Sequence, residues 1–294
     1  MASEQLMKKI LMLIPCYNEE ARLDAFLASI KRQTIPVEVV AVDDGSTDKT
    51  FTKLSESHLL SATRNPGNIG ITRSMNRLFE IARSFSPDYL TWCGVDEELY
   101  PDGVERRLRY LEANDSEIVI TGADAQTPTR KIRYPEVLPQ YARLRKADFS
   151  KLYEELLSGN FFQSPILVDM NKVSFDDLFL DERTRHFPDW DQYLTLSRKY
   201  KIGFMDESTG CSDWDGENFS TPNPALYPEK LREFVYVLSK HLAATRHTHS
   251  TAFTFRIIIT AITRLAGYYS RLARTALSNS FKSTPAATYS PGRV

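Results

Sequence analysis

Four short apolar segments in the first hundred residues are each followed by a polar turn and a stretch of helical periodicity. They are Lys8–Pro15, Val37–Val42, Leu59–Thr63 and Tyr89–Val95, and Glu117–Thr121 extends the series. Strands that alternate with helices in this way are typical of βαβ units. The sequence therefore predicts an α/β fold with a mostly parallel central sheet flanked by helices. In such sheets, ligands bind at the carboxyl ends of the strands.

The three cysteines, Cys16, Cys93 and Cys211, are far apart and odd in number. They form no C-x-x-C pair, so neither a disulfide framework nor a thiolate zinc site is indicated. This pattern fits a reducing compartment, and we expect a cytoplasmic protein.

Three consecutive acids, Asp96, Glu97 and Glu98, follow the fourth apolar segment directly. Carboxylates that are this close repel one another unless a cation lies among them. Hard divalent cations such as Mg²⁺ or Mn²⁺ prefer oxygen ligands, and a diphosphate could complete their coordination. The alternative is a solvated acidic turn before a helix, which the same residues would also satisfy.

Polar groups also follow the first two segments, at Pro15–Glu20 and at Asp43–Ser46. Asn18 and Ser46 could each cap a following helix. Two adjacent acids, Asp43 and Asp44, exceed what a capping turn needs. Arg73 lies one turn into a predicted helix, where it could bind an anion or remain solvated.

Five motifs together resemble the family 2 glycosyltransferases. In order they are P-C-Y-N-E-E, V-D-D-G-S-T-D, G-N-I-G with a later Asn76, the acidic turn, and P-D-W-D at Pro188–Asp191. The resemblance covers Lys8 to Ser220. It implies the GT-A fold, a nucleotide-diphospho-sugar transferase fold in which a donor-binding half is fused to an acceptor-binding half. It also implies inverting transfer from a nucleotide-sugar, most simply a UDP-sugar, to a hydroxyl of a glycan or a lipid-linked acceptor.

The resemblance assigns donor contacts to residues at the strand ends. Pro15, Tyr17 and Glu19 match the segment that lies against the nucleobase and ribose, and Asp44 matches the acid that accepts from the uracil imide. Arg73 lies where the family often places a cation on the diphosphate.

The resemblance also implies a divalent metal, Mn²⁺ or Mg²⁺. Counting back from Pro101, Gly94 stands where the family pattern Asp-x-Asp-Asp has its first acid. Asp96 and Glu97 keep the later two positions and are the expected metal contacts, Asp96 also touching the donor. Asp215 falls where the family has a metal-binding histidine, and a polar loop is the alternative reading there.

Asp189 matches the family's general base, which deprotonates the acceptor hydroxyl. Trp190 and Asp191 are then the expected acceptor contacts. The alternatives are that Asp189 is only an N-terminal helix acid and that Trp190 is partly buried structure.

The resemblance and the composition together predict three regions. Residues 1–220 form the catalytic domain, with a donor half over 1–125 and an acceptor half over 126–220. A basic, amphipathic helical extension covers 221–277. Residues 278–294 are rich in Ser, Pro and Thr and are expected to be disordered.

Charge is divided unevenly along the chain. From Phe234 onward there are eight lysines and arginines and no acid. Residues 1–233 hold 29 of the 37 basic and all 38 acidic residues, a net charge of −9.

Four arginines follow one side of a predicted helix whose other side is apolar, namely Arg256, Arg264, Arg271 and Arg274. We expect residues 241–277 to lie on an anionic membrane surface, at the inner face of the membrane. One alternative is that this helix packs on the acidic residues 1–233. A nucleic-acid partner is a further alternative, but the continuous apolar face argues against it.

Two other functions remain open on the sequence alone. A non-catalytic module that binds nucleotide-sugar or glycan would tolerate the missing first acid. A sugar-phosphate nucleotidyltransferase has a similar sheet, but usually a glycine-rich basic loop after its first strand. This chain has Asn18-Glu19-Glu20 there.

Overall fold

The computed structural model describes residues 8–58, 60–134, 136, 152–157, 165–214 and 226–245, with six single residues between 255 and 270. The chain divides into two compact units, Met1–Phe219 and Ser220–Val294. The disorder predicted for residues 278–294 and the four arginines of the predicted basic face lie outside the described residues.

The first unit contains nine strands and six helices within the described residues. The strands are β1 (Ile10–Cys16), β2 (Glu38–Asp43), β3 (Leu60–Arg64), β4 (Tyr89–Trp92), β5 (Glu97–Leu99), β6 (Ile118–Gln126), β7 (Lys131–Ile132), β8 (Ile166–Asp169) and β9 (Ile202–Asp213). The helices are α1 (Leu23–Lys31), α2 (Thr50–Glu56), α3 (Ile71–Phe85), α4 (Gly103–Asn114), α5 (Leu152–Leu157) and α6 (Pro188–Lys199).

The nine strands form one sheet in the order β3-β2-β1-β4-β8-β6-β9-β5, with β7 paired to β6. Strands β1 to β4, β6 and β9 run in one direction, and β5, β7 and β8 run in the other. Helices cover the sheet, so the predicted α/β fold with a mostly parallel sheet is confirmed.

The central strands are apolar on both faces because helices pack on both sides of the sheet. Leu11, Met12 and Leu13 in β1 are fully buried. Helix α3 buries Leu78 and Phe79, as its periodicity predicted. These contacts fix β1, β2 and β4 side by side, so their carboxyl ends meet at one edge.

Strand β9 is the longest of the described strands, with 12 residues. It continues to Asp213 because it pairs with β6 on one side and with the short strand β5 on the other. The register of β9 against β6 shifts on either side of Gly122. Such irregularities change the direction of side chains, so the strand can continue through polar residues. The end of β9 thereby comes to lie beside the acidic turn.

A buried arginine supports the strand that precedes the acidic turn. Arg107 in α4 has no exposed surface, and its guanidinium donates to Thr91 Oγ1 at 3.1 Å and to the Ile166 carbonyl at 2.8 Å. Burial lowers the pKa of Arg107 to about 10, so the group stays charged at neutral pH. It therefore links α4 to β4 and β8 as a cation.

The second unit includes one long described helix, α7 (Tyr227–Thr245). Beyond it, Phe255, Ile258, Ile259 and Ile262 are helical and expose large apolar side chains. No helix in the described part of the chain is long and apolar enough to cross a membrane.

Candidate active site

The loops that follow β1 and β2 are hydrogen-bonded to each other. The backbone N–H of Asn18 donates to Ser46 Oγ at 2.9 Å, and that of Glu19 donates to Thr50 Oγ1 at 2.7 Å. Asn18 has a left-handed backbone with φ of 56°, and its side chain accepts from the Thr47 N–H at 2.8 Å. Asn18 therefore bridges the two loops instead of capping a helix, and α1 begins only at Leu23.

Asp44 is buried at 4% exposure, and its carboxylate organises the loop before α3. Asp44 Oδ1 accepts from Asn65 Nδ2 and from the Ile69 N–H, both at 2.8 Å, and Oδ2 accepts from the Gly70 N–H at 2.9 Å. Because Oδ2 has one described protein donor, it retains a lone pair for a ligand N–H. Asp44 thus shapes the cavity wall and is part of it.

Of the three acids in the acidic turn, Asp96 is the one in the described lining of the cavity. Asp96 lines the cavity, and an added Cβ at Gly94 would collide with Asp96 Oδ1. The Asp96 carboxylate therefore occupies the space that the family's first acid would need. Burial raises the pKa of Cys93, and the charge of Glu97 adds to that rise. Glu97 is close enough to Cys93 and Arg107 for its charge to affect the pKa of both groups, and its expected contact with a metal stays a prediction.

A cluster of opposite charges lies next to this turn. Arg22 pairs with Glu19 at 3.1 Å and with Asp213 at 3.6 Å, and the Asp213 N–H donates to the Asp96 carbonyl at 2.7 Å. Burial raises the pKa of Glu19, Arg22 opposes the rise, and the charge of Asp96 adds to it. Arg22 therefore offsets the repulsion among three carboxylates at the cavity edge.

The described carboxylates do not complete a metal site on their own. Within the described ranges, no group of three His, Cys, Asp or Glu side chains is arranged to hold a metal ion. Asp96 is the member of the acidic turn that lines the cavity, and Asp215 lies outside the described residues.

The segment before α6 is hydrogen-bonded to α3. The Asn76 side chain exchanges two bonds with the Leu180 backbone, at 2.8 and 3.0 Å, and Thr72 Oγ1 donates to the Thr184 carbonyl at 2.8 Å. Arg73 pairs with Glu182 at 3.0 Å. This explains Asn76 at the end of the third motif, because its amide fixes the segment that leads into the helix of the predicted base.

These elements enclose a cavity of about 760 Å³, within the size range of small-molecule sites. Its walls come from the loops after β1, β2 and β4, the start of α3, and the segment before α6. Its described lining includes every predicted donor contact, namely Pro15, Tyr17, Glu19, Asp44, Arg73 and Asp96. Tyr17, Ile69 and Ile71 line it with exposed apolar surface, which suits a planar base or a sugar face.

The three predicted residues of the fifth motif have different environments. Asp189 is exposed in the first turn of α6, and Asp191 is buried. Trp190 is 1% exposed, and its Nε1 donates to the Leu156 carbonyl at 2.8 Å. This burial agrees with the alternative reading of Trp190 as structure, and its expected contact with the acceptor stays a prediction.

Sequence reasoning missed Arg22 and Arg185, which both line the cavity. The signal for Arg185 was its position four residues before the predicted base, where a phosphate-bearing substrate would need a cation. No local signal identified Arg22, since its partner Asp213 is distant in sequence.

Comparison with known proteins identifies the same region. A protein-family model described as glycosyl transferase family 2 matches residues 12–202. The chain is 37% identical over 123 residues to an undecaprenyl-phosphate 4-deoxy-4-formamido-L-arabinose transferase of Serratia proteamaculans, covering 38% of this chain and 36% of that protein. It spans 34% and 32% of two further relatives, both uncharacterized glycosyltransferases of Haemophilus influenzae.

Two solved structures show the fold at low sequence identity. S. aureus TarS in complex with UDP-GlcNAc superposes with a TM-score of 0.64 at 17% identity, covering 87% of this chain and 72% of that one. The mannosyltransferase PcManGT of Pyrobaculum calidifontis, with GDP-Man and Mn²⁺, gives 0.54 at 13% identity, covering 92% and 85%.

The family match begins in β1 and ends at the start of β9, so it spans every loop that forms the described cavity. The two structures share the sheet that places those loops at one edge. The chain therefore belongs to glycosyl transferase family 2.

Proposed function

We propose that this glycosyltransferase moves a sugar from a UDP-sugar to a hydroxyl of a glycan or lipid-linked acceptor, with inversion at the anomeric carbon. The observation that carries the proposal is the cavity itself. Its lining includes Asp44, whose carboxylate accepts from backbone N–H groups, Asp96 after β4, and three arginines. Uridine diphosphate offers an imide N–H and two phosphates, which match these groups.

The donor contacts follow from position along the cavity. Pro15, Tyr17 and Glu19 form the wall after β1 and would contact the base and ribose. Asp44 Oδ2 would accept from the imide, and Arg73 lies at the start of α3, where backbone N–H groups favour a phosphate. Asp191 is buried, so it would affect acceptor binding only by holding α6 in position.

Asp189 is the proposed general base. Its carboxylate would take the proton of the acceptor hydroxyl as the hydroxyl oxygen attacks the anomeric carbon. The bond from that carbon to the phosphate oxygen breaks in the same step, and its electron pair leaves with the nucleoside diphosphate. A single displacement of this kind inverts the anomeric centre.

Asp96 is the proposed protein contact of a divalent metal, Mn²⁺ or Mg²⁺, and such an ion would stabilise charge on the diphosphate. PcManGT contains Mn²⁺ together with its donor. The oxygen chemistry of Asp96 suits a hard cation.

Donor binding tests the proposal directly. We expect UDP or a UDP-sugar to raise the melting temperature of the protein, and Asp96→Asn to abolish the extra stabilisation that Mn²⁺ brings. Glu98→Gln is the matched control, since Glu98 is in the same turn but pairs with Arg32 at the surface. If Asp96→Asn responds to Mn²⁺ like the wild type, the metal contact lies elsewhere. A protein that binds UDP-sugar but never hydrolyses or transfers it would be a binding module.

We also propose that the second unit docks on the anionic inner face of the membrane. Phe255, Ile258, Ile259 and Ile262 have the spacing of one helix face, and all four are more than 40% exposed. The chain from Phe234 onward has eight basic residues and no acid. The Serratia relative is named for a lipid-phosphate acceptor, undecaprenyl phosphate, and a peripheral enzyme could reach such an acceptor from the cytoplasm.

Vesicle sedimentation tests this docking. Ile258→Glu with Ile262→Glu is expected to lower binding to phosphatidylglycerol vesicles by about 100-fold, because two apolar side chains are lost from the interface. Val235→Glu is the control, since Val235 is 48% exposed on α7. Wild-type protein that does not sediment with these vesicles at low salt would refute the docking.

A further inference from the structure

Three arginines line the cavity, and they differ in how far protein carboxylates neutralise them. Arg22 is paired with Glu19 and Asp213, and Arg73 is paired with Glu182. Arg185 is exposed, and in the described part of the chain its guanidinium has no ion pair or hydrogen bond. Arg185 is therefore the arginine of this set whose five N–H donors are all available to a ligand.

The backbone that carries Arg185 is held firmly. Thr184 is 1% exposed, its N–H and hydroxyl both donate to the Asp181 carbonyl, at 2.8 and 2.7 Å, and its own carbonyl accepts from Thr72. Helix α6 begins three residues after Arg185, at Pro188. The backbone of Arg185 is thus held in position between α3 and the helix of the proposed base, and its side chain lines the cavity.

A nucleoside diphosphate brings negative charge into the cavity, and cationic side chains stabilise it there. One carboxylate of the acidic turn lines the cavity, and the described side chains offer no cluster of three metal ligands. Cationic side chains at the cavity can share the diphosphate charge with a metal that Asp96 would hold. Guanidinium groups match phosphate oxygens with two parallel hydrogen bonds.

We propose that Arg185 binds the diphosphate of the donor and stabilises the nucleoside diphosphate as it leaves. The inference rests on the proposed function and adds a residue that acts without the metal. As the bond from the anomeric carbon to the phosphate oxygen breaks, that oxygen gains the electron pair, and Arg185 donates hydrogen bonds to the phosphate that carries it. The acceptor proton goes to Asp189, so Arg185 remains protonated throughout.

Binding of UDP and uridine to the full chain separates the phosphate contribution from that of the base. In EDTA, we expect Arg185→Gln to weaken UDP binding by about 10–100-fold and to leave uridine binding unchanged. Arg185→Lys should recover part of the loss, since it keeps the charge but not the planar fork. Isothermal titration calorimetry with UDP, and competition with uridine, give both values.

Arg183→Gln is the matched control. Arg183 is two residues away on the same segment, is 71% exposed and pairs with Asp181. We expect this variant to bind UDP like the wild type.

Three outcomes would overturn the inference. Arg185→Gln could bind UDP as tightly as the wild type, or it could raise only the KM for a phosphate-bearing acceptor, which would place Arg185 on the acceptor. The wild type could also bind UDP only when Mn²⁺ is present, which would assign the diphosphate charge to the metal. Failure of the wild type to bind UDP, GDP or their sugar conjugates under any condition is a different result, because it refutes the proposed function itself.

Discussion

Asp189→Asn is expected to lower sugar transfer by about 10²–10⁴-fold while UDP binding stays within about twofold of wild type. The amide keeps the size of the side chain but cannot accept the proton of an acceptor hydroxyl. Asp189 is exposed in the first turn of α6, so its replacement removes no buried contact of its side chain. Steady-state transfer rates with donor and acceptor saturating, together with UDP titration, measure the two quantities.

Asp189→Glu is the informative companion variant. It retains a carboxylate at a shifted position, so it should recover part of the lost rate, whereas a purely structural role would not distinguish carboxylate from amide. Equal losses of donor affinity and of transfer rate in Asp189→Asn would assign this residue to donor binding instead.

Gly45→Ala is expected to destabilise the fold by about 2–5 kcal/mol and to weaken UDP binding at least about tenfold. Gly45 has φ of +74°, and an added Cβ would lie 2.5 Å from the Gly67 carbonyl carbon and 2.8 Å from the Asn68 nitrogen. Those are backbone atoms, so no rotamer change relieves the contact. The loop that Asp44 holds would have to move, and that loop lines the cavity. Urea unfolding and UDP titration measure the effects.

Gly67→Ala is the control on the other side of the same contact. An added Cβ at Gly67 meets nothing within 4 Å, and its backbone is not left-handed. We expect this variant to unfold and to bind UDP nearly as the wild type does. If both variants behaved alike, the close approach of the two loops would not matter for stability.

The donor half of the fold was predictable because its signals are local. Each of β1, β2 and β4 is an apolar segment followed by polar residues. The apolar segment predicts the strand, and the polar residues after it mark the position of the site. That rule places Asp44 and Asp96 at the edge of the sheet, whereas Arg73 was expected there from the family resemblance, and all three line the cavity. The rule needs no knowledge of which strands pair.

Features that depend on long-range pairing were not predictable. Strand β5 lies within what the sequence suggests is only a turn, and its hydrogen bonds come from β9, more than a hundred residues later. The ion pair of Arg22 with Asp213 depends on that same pairing, because it brings Asp213 beside Asp96. The hydrophobic pattern of neither segment indicates that it pairs with the other.

The burial of Trp190 could have been inferred. It lies three and four residues before the apolar residues Tyr193 and Leu194, and all three are buried. Helical spacing therefore places Trp190 on the core face. The resemblance to an acceptor-binding motif was a weaker guide than this pattern.

The bonds from Asn76 and Thr72 to the segment between Leu180 and Thr184 bear on how chains of this kind diversify. One wall of the donor cavity and the approach to the base share a single support, helix α3. A substitution at Asn76 would therefore disturb the donor cavity and the approach to Asp189 together. Sequence drift in such chains should be least tolerated at this position.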